Sequence, residues 1–328
     1  MDTRVLITGA TGFVGSHLAE YCLKQGCLVF GTGRRRSPIT NVQGILANER
    51  FKLLEVELED SRSIYSTIET AQPDTVFHLA AQSFVPASFE SPYYTMQVNL
   101  LGTLALLESL RQWSRDGSPR IQIAGSSEEY GLVREDECPI VETQALRPLS
   151  PYAVSKVGCD LLGQQYARAY GMHIVVTRAF NHEGARRGQE FVTSNFAQQA
   201  VLLSAGKVSE LQVGNLDAVR DYNHVRDVVR GYWLALEKGD PGDVYNICSG
   251  KGVVIRDLID MLARIVGKEL PYSLDPKRLR PSDVPYLIGD SSKFRKQTGW
   301  QPELTIQDAM TDLVAYWREH LDLTEASR

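Results

Sequence analysis

The sequence predicts an α/β fold: a doubly wound parallel sheet with helices on both faces, followed by a smaller, mostly helical C-terminal unit. Three observations predict it. Short apolar runs alternate with longer amphipathic ones through roughly the first 180 residues. A glycine cluster directly follows the first apolar run and opens the first amphipathic one. Past that half the alternation loosens, and helical runs with scattered prolines take over.

The elements follow in order. Val5-Leu6-Ile7 reads as the first strand, with a helical pattern over 13–25 behind it. Cys27-Leu28-Val29-Phe30 is the second strand and Phe51-Lys52-Leu53-Leu54 the third, followed by a helix over 61–70. Thr75-Val76-Phe77-His78-Leu79 is the fourth, and a long helix is expected over about 93–113. Ile121-Gln122-Ile123-Ala124 is the fifth, residues 151–170 read as a helix, and 173–177 as the sixth strand. Further helical runs lie near 192–203, 225–236, 255–266 and 306–320. Prolines 271, 276, 281, 285 and 302 punctuate the stretch between the last two.

Composition narrows the function classes. The chain has 328 residues, 43% of them hydrophobic, enough for a large core. No run of about 18 apolar residues suggests a spanning helix. Met1-Asp2-Thr3-Arg4 leads straight into a strand, unlike a signal peptide, so a cytoplasmic location is expected. A formal charge of −5 gives no general attraction to nucleic acid or anionic lipid. The five cysteines show no CxxC spacing and read as reduced thiols. The six histidines include no HExxH, so no metal site is expected.

Gly9-Ala10-Thr11-Gly12-Phe13-Val14-Gly15 is a GxxGxxG motif in strand–turn–helix context. Glycines there let a pyrophosphate approach the backbone, where the helix N-terminus offers free N–H groups. A Rossmann-type dinucleotide-binding domain is therefore expected over 1–180, taking strands or helices from about 219–248 as well. Residues 181–328 would form the second domain. Cofactors without a 2′-phosphate are held by a carboxylate at the end of the second strand. Here Gly31-Thr32-Gly33 runs into Arg34-Arg35-Arg36-Ser37, and a guanidinium fork suits a 2′-phosphate, which favours NADP. Glu57, after the third strand, is a candidate for the adenine edge.

Tyr152 and Lys156 form YxxxK at the start of a predicted helix and share one face. The ammonium is expected to lower the phenol pKa, so that the phenolate can take a hydroxyl proton during hydride transfer. Gly125-Ser126-Ser127-Glu128-Glu129-Tyr130-Gly131 lies just past the fifth strand, at the end where open α/β sheets bind ligands. Ser126 can hydrogen-bond the reacting hydroxyl.

With Ser126, Tyr152 and Lys156 as a triad, the chain resembles the extended short-chain dehydrogenase/reductase family. The run 78–83, the GSSEEYG and PYAVSK motifs and the C-terminal half carry the resemblance. Within the family it is similar to members acting on GDP-linked sugars, through Phe180-Asn181-His182-Glu183, Arg186-Arg187-Gly188, Phe191-Val192-Thr193 and residues 214–221 and 280–284.

The resemblance implies dehydration of GDP-mannose: transient C4 oxidation by bound NADP, C5 proton abstraction by Glu128, loss of the C6 hydroxyl and hydride return to C6. It adds Leu58, Leu79, Ala80 and Ala81 to the cofactor site. Ser83, Ser127, Asn181, Arg187, Val192, Arg220 and Arg280 are assigned to the GDP-sugar, whereas Lys277 and Arg278 are read as solvated. It also implies a homodimer or homotetramer. An NAD(P)H-dependent reductase of GDP-4-keto-6-deoxymannose stays open, since GSSEEYG and Phe196-Ala197-Gln198-Gln199 also look reductase-like. So do a dehydratase of another GDP-sugar, such as a heptose, and a non-enzymatic NADP sensor or scaffold.

Overall fold

The computed structural model describes residues 2–113, 119–278 and 284–321. The first half runs β1 (Arg4–Thr8), α1 (Phe13–Lys24), β2 (Leu28–Gly33), β3 (Phe51–Glu55), α2 (Ser61–Ala71), β4 (Thr75–His78), α3 (Val85–Glu90), α4 (Pro92–Met96), α5 (Gly102–Trp113), β5 (Arg120–Ser126), α6 (Pro151–Tyr170) and β6 (Ile174–Ala179). The second half runs β7 (Asn181–Glu183), α7 (Val192–Ser204), β8 (Leu211–Val213), β9 (Val219–His224), α8 (Val225–Lys238), β10 (Val244–Ile247), β11 (Gly252–Val254), α9 (Ile255–Val266), β12 (Tyr272–Leu274), β13 (Tyr286–Leu287), α10 (Ser292–Thr298) and α11 (Ile306–His320).

Seven strands form one sheet in the order β10-β6-β5-β4-β1-β2-β3, all parallel. Its central strands are covered on both faces, so they read as continuous apolar runs: Val5, Leu6 and Ile7 are at most 1% exposed. One face packs on α1 and α8 through Leu18 and Val228, with Trp300, just past α10, in the same core. The other packs on α2, α5 and α6 through Ile68, Leu107 and Cys159. Strand order reverses between β1 and β4, which opens the crevice at the carboxyl ends. The C-terminal half has its own core of α7, α9 and α11 around Phe196, Leu258 and Leu313, with small sheets built on β9 and β8.

Caps written in the sequence set the key helix. Ser150 Oγ accepts from Ala153 N at 3.0 Å, Pro151 takes the first turn, and Gly171 closes α6 at φ 65°. The helix expected over 93–113 begins earlier, at Pro92, and carries a π-helical turn over Gln97–Leu101. Asn99 on that turn explains the insertion. Its amide donates to Ser155 Oγ at 2.9 Å and Gln82 O at 3.0 Å, and its Oδ1 accepts from Gln82 N at 2.7 Å.

Candidate active site

A single cleft of about 870 Å³ spans the carboxyl ends of the large sheet and the inner wall of the C-terminal half. One end is built by the glycine turn. Gly9 sits at φ 74°, and a Cβ there would come 2.9 Å from Ala80 Cα. A Cβ on Gly15 would lie 2.2 Å from Gly9 O, so helix and strand can approach only with glycine at both positions. Gly12 caps α1 with no side-chain hydrogen bond, which leaves the first-turn N–H groups for a ligand. This cradle fits a dinucleotide pyrophosphate. Thr11, Phe13, Val14, Leu58, Leu79, Ala80 and Ala81 line the same end, as expected.

At the end of β2 the structure separates the three arginines. Arg34 lines the cleft, and its Nη1 donates to Tyr94 Oη at 3.0 Å. Ser37 also lines it. Arg35 and Arg36 do not, although all three are exposed, and the chain turns through the left-handed region at Arg36, φ 62°. Glu57 reaches the cleft while its Oε1 accepts from Arg35 N at 3.2 Å.

The centre of the cleft gathers the predicted triad. Tyr152 and Lys156, one turn apart on α6, are only 8% and 7% exposed. Lys156 Nζ donates to Ala124 O at 2.7 Å, which pins the ammonium under the end of β5. Ser126 and Ser127 line the same wall. The expected fall in the Tyr152 pKa is corrected by burial. Desolvation raises it, and the pull of Lys156 and of the Ser126 hydroxyl offsets this only in part.

The two glutamates of the turn diverge. Glu128 is half-buried and lines the cleft, whereas Glu129 is fully buried and points inward. Behind the wall His78 bridges Thr8 Oγ1 at 2.8 Å and Thr103 Oγ1 at 2.9 Å. Burial, with Lys156 nearby, lowers its pKa to about 3, so the ring is neutral.

The far end faces the C-terminal half. Ser83, Asn181, Val192 and Arg220 line it as expected, and Arg220 is 6% exposed. Strand alternation puts Arg220 and Tyr222 in the cleft. Asp221 on the opposite face holds the Ser249, Gly250 and Gly289 amides at 2.8, 2.9 and 3.3 Å. Arg187 also lines the cleft but is tied to the cofactor end. Its guanidinium lies 3.5 Å over the Phe191 ring and 5.1 Å over the Phe13 ring. Buried Glu183 is 3.6 Å away, beyond hydrogen-bond length. His182 stacks on Phe13 at 6.0 Å; burial and then Arg187 lower its pKa to about 4.

Lys277 and Arg278, read as solvated in the sequence, are indeed exposed, but they stand at the rim of the cleft, where Arg278 Nη1 donates to Asn195 Oδ1 at 2.8 Å. Nothing local marked them. They are brought in by the pairing of β12 with β8 and by the bare backbone of Gly214, where a Cβ would come 2.8 Å from Arg278 O. Arg280 lies outside the described residues. Asn99, His78 and Asn195 also escaped sequence reading. For Asn99 the usable signal was the position of the amide one helix away from YxxxK.

The family model for GDP-mannose 4,6 dehydratase matches residues 6–313. A GDP-mannose 4,6-dehydratase of Yersinia enterocolitica is 35% identical over 95% of this chain and 93% of its own length. A GDP-6-deoxy-D-mannose reductase of Pseudomonas aeruginosa is 34% identical over 98% and 99%. Among solved structures, RMD from Pseudomonas aeruginosa complexed with NADPH superposes with a TM-score of 0.82 at 33% identity, over 97% of this chain and all of that one. A UDP-glucose 4-epimerase from Thermotoga maritima with UDP-glucose gives 0.87 at 29% identity, over 97% and 99%.

Proposed function

The chain belongs to the GDP-mannose 4,6-dehydratase family of extended short-chain dehydrogenases/reductases, and we propose that it dehydrates GDP-mannose to GDP-4-keto-6-deoxymannose with a retained NADP. The observation that carries this reading is Glu128, a carboxylate on the cleft wall in the same turn as Ser126 and beside Tyr152 and Lys156. A 4-keto reductase does no chemistry at C5, so Glu128, on a run that is also reductase-like, acts as a base only in the dehydratase.

A bound NADP would supply the hydride acceptor for C4 and the hydride for C6. Tyr152 takes the C4 hydroxyl proton at Oη, with Lys156 stabilising the phenolate and Ser126 Oγ hydrogen-bonding the same hydroxyl. The C4 ketone acidifies the C5–H, and Glu128 removes that proton. The C6 hydroxyl departs as water with the proton that Glu128 took from C5, and Tyr152 gives its proton to C5 as the hydride is returned to C6. Net redox change is zero, so the cofactor serves turnover after turnover.

Arg34 and Ser37 supply the preference for the 2′-phosphate of NADP. Asn181, Val192 and Arg220 hold the GDP-sugar, with Lys277 and Arg278 closing its nucleotide end, and Arg187 bridges the two ligands. The division of labour is 1–180 with parts of 219–248 for the cofactor and 181–328 for the sugar nucleotide. We also assign a cytoplasmic homodimer or homotetramer. No described helix is long and apolar enough to cross a membrane. Tyr93, Leu101 and Leu161, 80%, 54% and 54% exposed, offer an apolar surface on α4, α6 and the π-helical turn to a second copy.

The test is incubation with GDP-mannose and catalytic NADP, without reduced cofactor, followed by mass analysis. Loss of one water with no net NADPH supports the dehydratase. A second reading, reduction of the 4-keto-6-deoxy sugar, draws on the end-to-end match to the Pseudomonas aeruginosa reductase. Unchanged GDP-mannose together with NADPH oxidation by that keto sugar would select it. A panel of GDP-sugars covers a dehydratase of another substrate.

A further inference from the structure

Glu129 is 0% exposed, and its environment is built for one task. Its Oε1 accepts from Ser126 N at 2.7 Å, while Ser126 Oγ accepts from Glu128 N at 3.2 Å. This reciprocal cap closes the turn that carries both Ser126 and Glu128. The carboxylate lies against bare backbone: a Cβ on Gly125 would come 2.7 Å from Glu129 Oε1. Its other oxygen is 3.4 Å from Arg178 Nε, an ion-pair contact without a hydrogen bond.

Arg178 is itself fixed from several sides. Its Nε donates to Asp160 Oδ2 at 2.7 Å, and its Nη1 donates to Tyr130 Oη and to Glu142 O, both at 3.1 Å. Tyr130 Oη in turn donates to Asn246 Oδ1 at 2.7 Å. Strands β6 and β10 and helix α6 therefore converge on the back of the catalytic turn. Burial, and Asp160 beside it, push the Glu129 carboxyl well above the usual carboxylate range, which relieves the surplus of negative charge around one cation.

We propose that Glu129 is the positioning residue of the Ser126–Glu128 turn, anchored through Arg178 so that hydroxyl and carboxylate meet the sugar in one fixed geometry. The proposal rests on the dehydratase reading for Glu128 only; the Ser126 half applies equally to a reductase. It makes the two adjacent glutamates complementary: one faces substrate and the other holds the first in place.

Charge balance makes the idea testable. Replacing Glu129 with Leu leaves Arg178 paired one-to-one with Asp160, so the variant is expected to fold. It removes the acceptor of the Ser126 N–H and frees the turn. Misplacement of reacting groups by an ångström costs roughly 10²-fold in rate. Glu129→Leu is therefore expected to lower kcat by about that factor, with KM and the NADP dissociation constant within about twofold of the wild type. Glu129→Gln keeps an acceptor oxygen at the same reach and is expected to recover most of kcat. Glu129→Asp keeps the carboxyl group but, one methylene shorter, cannot reach Ser126 N, and is expected to stay slow. Wild-type kcat in Glu129→Leu, or a Gln variant as slow as Asp, overturns the proposal. If the Leu variant fails to fold, the Gln–Asp comparison decides alone. If the wild type reduces the keto sugar instead of dehydrating GDP-mannose, the dehydratase reading fails, and the same variants are read by NADPH oxidation.

Discussion

Buried His78 should make the protein acid-sensitive in a calculable way. Burial lowers its pKa from 6.5 to about 3 in the fold. In the unfolded chain it titrates near the ordinary value. The unfolded state therefore binds more protons between those limits, so the contribution is intact above about 6.5 and is lost as pH falls toward about 3. Each pH unit in that window costs ~1.4 kcal/mol, and a step from about pH 7.5 to about 5.5 costs ~1.3 kcal/mol. His17 and His182, both lowered to about 4, act in the same direction, whereas buried Glu183 and Asp221, both raised, act against it. A His78→Gln variant isolates the one group. It loses bonds to Thr8 and Thr103 and is less stable at neutral pH. In urea unfolding at constant slope, the gap between wild type and variant should narrow by ~1.3 kcal/mol over that pH step. A gap independent of pH would refute the reasoning, because it would mean that His78 does not resist protonation in the fold.

Glu128→Gln should abolish C5 proton exchange, lowering kcat by ~10²–10⁴ with NADP affinity unchanged; deuterium incorporation from solvent reads this, and normal dehydration removes the role given to Glu128. Tyr152→Phe should stop every redox step while the fold survives, measured by single-turnover absorbance of the reduced nicotinamide. Arg34→Ala should weaken NADP by roughly tenfold or more but NAD little, whereas Arg35→Ala and Arg36→Ala should change the ratio far less, as followed by fluorescence titration. Arg278→Ala should raise KM for the GDP-sugar several-fold with kcat nearly intact, and a change confined to NADP binding would place that cation in the wrong half of the cleft.

Local signals were sufficient for much of this molecule. Ser150-Pro151 and Gly171 bound α6 because caps act within one turn, and the glycine turn is legible because only glycine tolerates the close approach at positions 9 and 15. Apolar continuity marked the buried parallel strands. YxxxK placed Tyr152 and Lys156 on one face through helical periodicity alone.

What the residues by themselves determined is thus the chemistry available: a dinucleotide turn, a phenol–ammonium pair, and a serine with two carboxylates behind β5. Tertiary structure decided how it is deployed. It chose Glu128 for the cleft and Glu129 for Arg178, because a capping box admits only one of two adjacent side chains to the interior. It set Arg34 on the cleft rim, while the chain turns through the left-handed region at Arg36. It placed β10 in the main sheet and brought Lys277 and Arg278 to the cleft through strand pairings that no local window contains. It also set the sign of the Tyr152 shift, since burial is a property of the assembled cleft and outweighs the ammonium one turn away.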